Sequence, residues 1–270
     1  MKSYIDELWE VRDTLSEVSL EEPEIKKAIL DTIDELDNGR VKVAFKEHLD
    51  WEINEWVQKA INLYFKTMPN FMQIDGMHRF FDNIPLKFDG WDHSKFKTAK
   101  ISVLPGATVR KGCFVSEGSR IMSSFIDIGV HIGKNSYIGS FSTIANCSHI
   151  GNDVFIGNGV GIGGKILTKE SDFLTIPTII EKNSHIGAKS EIGAGVYIGE
   201  GSFILENTTI LSYTKIYDKA TGQVYEGQIP PYSIVTNGKI DGSDVEGAVI
   251  LKVLDKNRSY DEIVEMVKEL

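Results

Sequence analysis

The sequence predicts a mainly β chain: a three-sided parallel coil, with a helical domain before it and a short strand-and-helix extension after it. Three observations predict this. Ile or Val recurs every six residues through the middle of the chain, Gly commonly follows it, and the first hundred residues show helical spacing instead. Gly makes up 25 of 270 residues and Pro only 7, which fits neither a Pro-rich disordered chain nor a helical bundle.

Residues 1–100 form the expected helical domain. Ile5, Leu8, Trp9, Val11 and Leu15 recur at helical spacing, as do Ile25, Ala28, Ile29, Ile33 and Leu36 before the stop signal Asn38-Gly39. A short strand is expected at Val41 to Phe45. The strongest helix is expected at Trp51 to Met68, with Trp56, Ala60, Ile61 and Tyr64 on one face. Pro69, Pro85 and Asp89-Gly90 mark loops.

Residues 101–222 carry the repeat. The series Val103, Val109, Val115, Ile121 is followed by one five-residue step to Ile126. It then runs through Ile132, Ile138, Ile144, Ile150, Ile156 and Ile162, and reappears from Ile180 to Ile216. A period of six fits neither a helix nor a straight strand. It fits a chain that turns a corner after each six residues, so that three sides make one coil. The aliphatic residue points inward, and the Gly beside it is expected to permit the bend. Coils stack at about 4.8 Å, as parallel strands do. This is a left-handed parallel β-helix of hexapeptide repeats. The polar segment 165–177 breaks the repeat and should loop out from a corner. Residues 223–270 form the extension, with a strand at Ala248 to Leu254 and a helix at Tyr260 to Leu270.

Charge and composition narrow the function. Asp and Glu number 39 against 29 Lys and Arg, for a net charge of −10. That balance argues against a nucleic-acid or anionic-membrane partner. No apolar run approaches the ~18 residues of a membrane span, and the N-terminus reads as an acidic amphipathic stretch, not a signal peptide. Cys113 and Cys147 stand alone, so neither a disulfide framework nor a CxxC metal site is expected, and a reduced, cytoplasmic setting is the default. Cys147 is expected to be a buried structural thiol, since nothing marks a lowered pKa. His131, His149 and His185 each precede an inward aliphatic residue and could line one edge, with solvent exposure the favoured reading.

Several segments support a closer comparison: KKAILDTIDELDNGRVKV and WVQKAINLYFK in the helical domain, FFDNIPLKF at 80–88, VLPGATVRKGCF at 103–114, GNGVGIGG at 157–164, PTIIEKNSHIGAKSEIGAGVYIGEGS at 177–202, TKIYDKATGQV at 214–224 and AVILKV at 248–253. Through these the chain resembles the tetrahydrodipicolinate N-succinyltransferases over nearly its whole length. The resemblance implies a homotrimer with active sites between neighbouring prisms. It also implies no bound cofactor and a CoA thioester, succinyl-CoA or acetyl-CoA, as co-substrate, with an amine dicarboxylate as acceptor. Glu191, in GAKSE, matches a glutamate that lies near the substrate amine, where a base is needed. A second family residue, an aspartate, is replaced here by Gly139, and His149 is a candidate substitute base. A family arginine thought to hold a substrate carboxylate is replaced by Ser102, whereas Arg110 matches and would clamp a carboxylate. For CoA the candidates are Gly163, Gly164, Ala188, Lys189, Lys215 and Pro230. The carbonic-anhydrase relatives of this prism use two His five apart on one coil; no such pair occurs here, so no metal is expected. The two departures keep open a paralogue acylating another amino acid or an amino sugar. A non-catalytic trimeric scaffold is the alternative from another class.

Overall fold

The computed structural model describes residues 1–15, 22–48, 50–76, 78–163, 174–240, 246–256 and 260–269. Three helices build the front domain: α1 (Lys2–Glu10), α2 (Pro23–Asp37) and α3 (Glu55–Thr67). Pro23 opens α2, where its missing N–H costs nothing. Ile25, Ile29, Ile33 and Leu36 of α2 bury against Val57, Ile61, Leu63 and Phe65 of α3. The helix expected from Trp51 begins only at Glu55. Trp51 belongs instead to an antiparallel hairpin of Ala44–Glu47 and Asp50–Ile53. A second hairpin, Phe71–Asp75 with His78–Asp82, lies between Pro69 and Pro85, and a short helix α4 (His93–Ala99), capped by Asp92, follows Asp89-Gly90.

The coil has three flat faces. The first runs through Ser102–Val103, Arg120–Ile121, Tyr137–Ile138, Phe155–Ile156, His185–Ile186 and Phe203–Ile204. The second runs through Thr108–Val109, Phe125–Ile126, Thr143–Ile144, Gly161–Ile162, Glu191–Ile192 and Thr209–Ile210. The third runs through Phe114–Val115, His131–Ile132, His149–Ile150, Ile179–Ile180 and Tyr197–Ile198. Every pair within a face is parallel and in register, so each aliphatic residue stacks on its equivalent. Ile121, Ile126, Ile132, Ile138, Ile144, Ile150, Ile156, Ile180, Ile186, Ile192, Ile198, Ile204 and Ile210 are all 0% exposed. Burying each such side chain contributes about 1.5–3 kcal/mol.

Apart from Gly163, whose φ is 87°, the glycines after the aliphatic residues do not supply the bend. Gly139 has ordinary φ, and a Cβ placed on it would stand 2.4 Å from the Gly157 carbonyl oxygen of the next coil. These glycines let coils approach each other. The bend lies two residues later, where Asn135, Phe141, Cys147 and Asp153 have φ of 57, 61, 63 and 55°. Between the bends, Ser136 and Ser142 donate their hydroxyls at 2.8 Å to the carbonyls of Gly151 and Gly157 in the coil above.

Ile216 does not continue the third face. Gln228–Ile229 pairs with Tyr197–Ile198 there, and Ser233–Lys239 extends the first face. Lys215–Asp218 leaves the coil to pair with Val224–Glu226 and with Glu246–Val253. Ile216 remains 0% exposed because it packs under this added sheet. Helix α5 (Tyr260–Glu269) follows, with Ile263, Met266 and Val267 packed on Phe203, Ile234 and Leu254. Among the described residues no helix is long and apolar enough to cross a membrane.

Candidate active site

The second face of the coil presents outward the column Thr108, Phe125, Thr143, Gly161, Glu191 and Thr209. Glu191 is exposed, yet its carboxylate lies over Gly161: a Cβ on Gly161 would be 2.0 Å from Oε2. Among the described residues this carboxylate has neither a side-chain hydrogen-bond nor an ion-pair partner. Burial against the face holds its carboxyl above the ordinary value. Such a group can accept a proton and has no cation to surrender first.

Ala188 and Lys189 sit at the corner leading into Glu191, above Gly157 and Gly159, with Lys189 exposed. Thr209, directly above Glu191, borders a cleft of about 700 Å³ that Tyr213, Lys215, Asn237 and Lys239 also line. Lys215 is ion-paired there with Glu226. Gly163 and Pro230 lie at the other two corners, so one chain does not bring all the candidate CoA residues together. Gly164 lies outside the described residues.

The structure separates His149 from this site. His149 lies on the third face, one side away from Gly139 and Glu191. It is 8% exposed, stacks on His131 at 4.8 Å and meets Trp51 edge-on at 4.7 Å. The hairpin 44–53 covers it, beside a cleft of about 790 Å³ lined by Lys42, Trp51, Trp56 and Glu181. Glu181 anchors that hairpin, accepting from Lys46 at 2.7 Å and from Trp51 at 2.8 Å. His185 does not share the edge with the other two. It stacks between Phe155 and Phe203 on the first face.

His149 is buried, His131 and His185 are half-buried, and all three pack against other rings. Burial pulls His131 down to about 2, His149 to about 4 and His185 to about 4, with the Lys42 charge adding to the first two. An unfolded His binds its proton near pH 6.5. The unfolded chain therefore holds more protons than the folded one between about 6.5 and 4. Stability is full above that window and lost as pH falls through it, by up to about 1.4 kcal/mol per pH unit for each histidine. The urea midpoint is expected to fall steeply between pH 7 and pH 5, and His131→Phe, matching Phe114 below it, should flatten that fall. An equally steep fall in the variant would overturn this account.

Arg110 does not stand free as a clamp. Its Nη2 meets Asp82 Oδ2 at 2.7 Å and its Nη1 meets Asp127 Oδ1 at 3.0 Å. Asp127 is 0% exposed, and the guanidinium lies between the Phe65 and Phe125 rings. The guanidinium is committed to tying the helical domain to the first coils. Gly139 offers no side chain, and its N–H is spent on the Ile156 carbonyl at 2.9 Å. Cys147 is buried, and burial pushes its thiol up to about 12.

Ser102 is exposed at the first strand of the first face. The residue in register beside it is Arg120, also exposed and, among the described residues, without an ion-pair partner. Reading along the chain missed Arg120. The coil period was the available signal, because it stacks residue 120 on residue 102.

Comparison with known proteins decides the family. The family described as tetrahydrodipicolinate N-succinyltransferase N-terminal matches residues 1–67, and bacterial transferase hexapeptide (six repeats) matches 129–164 and 177–220. The chain is 38% identical over 273 aligned residues to the 2,3,4,5-tetrahydropyridine-2,6-dicarboxylate N-succinyltransferase of Chromobacterium violaceum, covering 99% of this chain and 98% of that one. The protein of the same name from Dechloromonas aromatica is 37% identical with the same coverage, and that from Neisseria gonorrhoeae is 35% identical over 91% of each chain. The chain belongs to the tetrahydrodipicolinate N-succinyltransferase family. It is an acyltransferase, and its coil is the left-handed parallel β-helix of hexapeptide proteins. Of the residues that the resemblance singles out, Glu191 is an exposed carboxylate lying over a glycine of the next coil.

Proposed function

We propose that this N-succinyltransferase transfers the succinyl group of succinyl-CoA to the amine of ring-opened tetrahydrodipicolinate, in the diaminopimelate route to lysine. One observation carries the reading: a carboxylate, Glu191, that has no ion-pair partner among the described residues and lies over Gly161 on the second face, directly below the cleft at Thr209. The neutral amine attacks the thioester carbonyl, forming the C–N bond. The nitrogen proton passes to Glu191, backbone N–H groups stabilise the oxyanion, and the C–S bond breaks. The departing thiolate takes a proton and leaves as CoA, with no other cofactor required. The pantetheine arm would run past Ala188 and Lys189 towards the cleft that Lys215 and Lys239 line. Family resemblance supports a homotrimer, in which the neighbouring chain completes each site. Exposed apolar side chains also support it: Met72, Ile74 and Phe81 on the hairpin 71–82 and Phe141 at a corner of the coil. The assembly would work in the cytoplasm.

Arg120 supplies the guanidinium that Ser102 does not. It stands one coil above, and a guanidinium grips a carboxylate with two donors. Arg120→Ala is expected to raise KM for the dicarboxylate about 10–100-fold, since a charged hydrogen bond contributes about 1.5–3 kcal/mol. Adding Ser102→Arg should restore it. An unchanged KM in Arg120→Ala would remove the residue from the site.

Thiol release from succinyl-CoA and acetyl-CoA with a panel of amines tests the whole reading. Release with succinyl-CoA and tetrahydrodipicolinate supports it. Release with only another amine would make the chain a paralogue, and no release at high enzyme would make it a scaffold.

A further inference from the structure

We propose that Gly161 is a positioning residue for Glu191, its missing side chain being the seat on which the carboxylate lies. The inference rests on Glu191 serving as the base and says what sets that base in place. Gly161 and Glu191 are paired in parallel register, with Gly161 directly below. A Cβ on Gly161 would stand 2.0 Å from Oε2, 2.7 Å from Cδ and 2.9 Å from Oε1 of Glu191. These are the three end atoms of one carboxylate, and no backbone atom is among them.

The coil itself does not require glycine here. Gly133, Gly139, Gly151 and Gly157 meet backbone atoms of the coil above, so a side chain there would push two coils apart. The three atoms nearest a Cβ on Gly161 are instead the tip of a flexible side chain, and its φ is not in the left-handed region. The other outward positions of the same face hold Thr108, Phe125, Thr143, Glu191 and Thr209, so the face accepts side chains of any size. Glycine at 161 therefore serves the carboxylate and not the fold.

A methyl group at this place would lift the carboxylate into water. Burial is the sole cause that raises the Glu191 carboxyl, so the lifted group would return towards its ordinary value and lose its setting near the amine.

The test is Gly161→Ala in the full-length enzyme. The expected result is kcat lowered about 10–100-fold, KM for succinyl-CoA unchanged and the acid limb of the kcat profile moved to lower pH. The melting temperature should stay at or above the parent value, since the backbone accepts alanine. Carboxyl titration of Glu191 by NMR should show the same downward shift without any turnover. A variant with parental kcat, parental acid limb and parental titration would overturn the proposal. So would a loss of kcat accompanied by a fall in melting temperature, which would mark Gly161 as structural. Failure of the base reading is separate: it would show as full activity in Glu191→Gln, whatever Gly161→Ala does.

Discussion

Glu191→Gln is expected to lower kcat by about 10²-fold or more, with KM for succinyl-CoA little changed. The amide keeps the shape of the side chain and its place over Gly161, but cannot take a proton. In the parent, the carboxyl must be ionised to act. Burial on the second face raises its pKa, so the acid limb of the rate profile should lie above the ordinary carboxyl range. Activity is lost as pH falls through that raised value. The same raised value means that the ionised carboxyl is less favoured in the folded chain than in the unfolded one. Replacing the carboxylate by a neutral amide should therefore leave melting temperature at neutral pH unchanged or higher. A near-parental rate in this variant would remove Glu191 from the mechanism. A loss of rate together with a loss of melting temperature would mean that the side chain holds the coil together.

Arg110→Leu is expected to act on stability. Removing the guanidinium leaves Asp127, which is 0% exposed, and Asp82 without their cation. Breaking a buried pair on one side costs about 3–5 kcal/mol. For a chain of this size the melting temperature should fall by roughly 6–20 °C. Adding Asp127→Asn should recover part of the loss, because the uncompensated charge is then gone. The kinetic constants at a temperature where the variant stays folded should remain near parental. A parental melting temperature with a raised KM for the dicarboxylate would restore Arg110 as a substrate clamp.

Arg110 and Arg120 show how far the sequence reaches into the site. Along the chain, Arg110 has the family match and Arg120 has nothing. In three dimensions Arg110 is neutralised by carboxylates from residues 82 and 127, and Arg120, beside Ser102, has no ion-pair partner among the described residues. His149 shows the same limit. As a candidate substitute base it would have to stand near residue 139, but each six-residue side turns the chain by a corner and puts the two on different faces. Gly139 was legible as a departure from the family. That a side chain there would have to move the backbone of the next coil is visible only from the 2.4 Å distance to the Gly157 carbonyl oxygen.

By itself the sequence determined the coil. A strict period of six forces every inward residue to share one axis, and apolar burial then makes the register unique, as the unbroken stack of buried isoleucines shows. The same period turns Glu191 outward, beside the inward Ile192; its proposed role as base comes from the family resemblance and not from the spacing. Only the tertiary structure decided which charges are spent, which histidines are dry and where the coil gives way to the added sheet after Ile210. Those outcomes depend on contacts between residues far apart in the chain, and no local spacing encodes the distance between them.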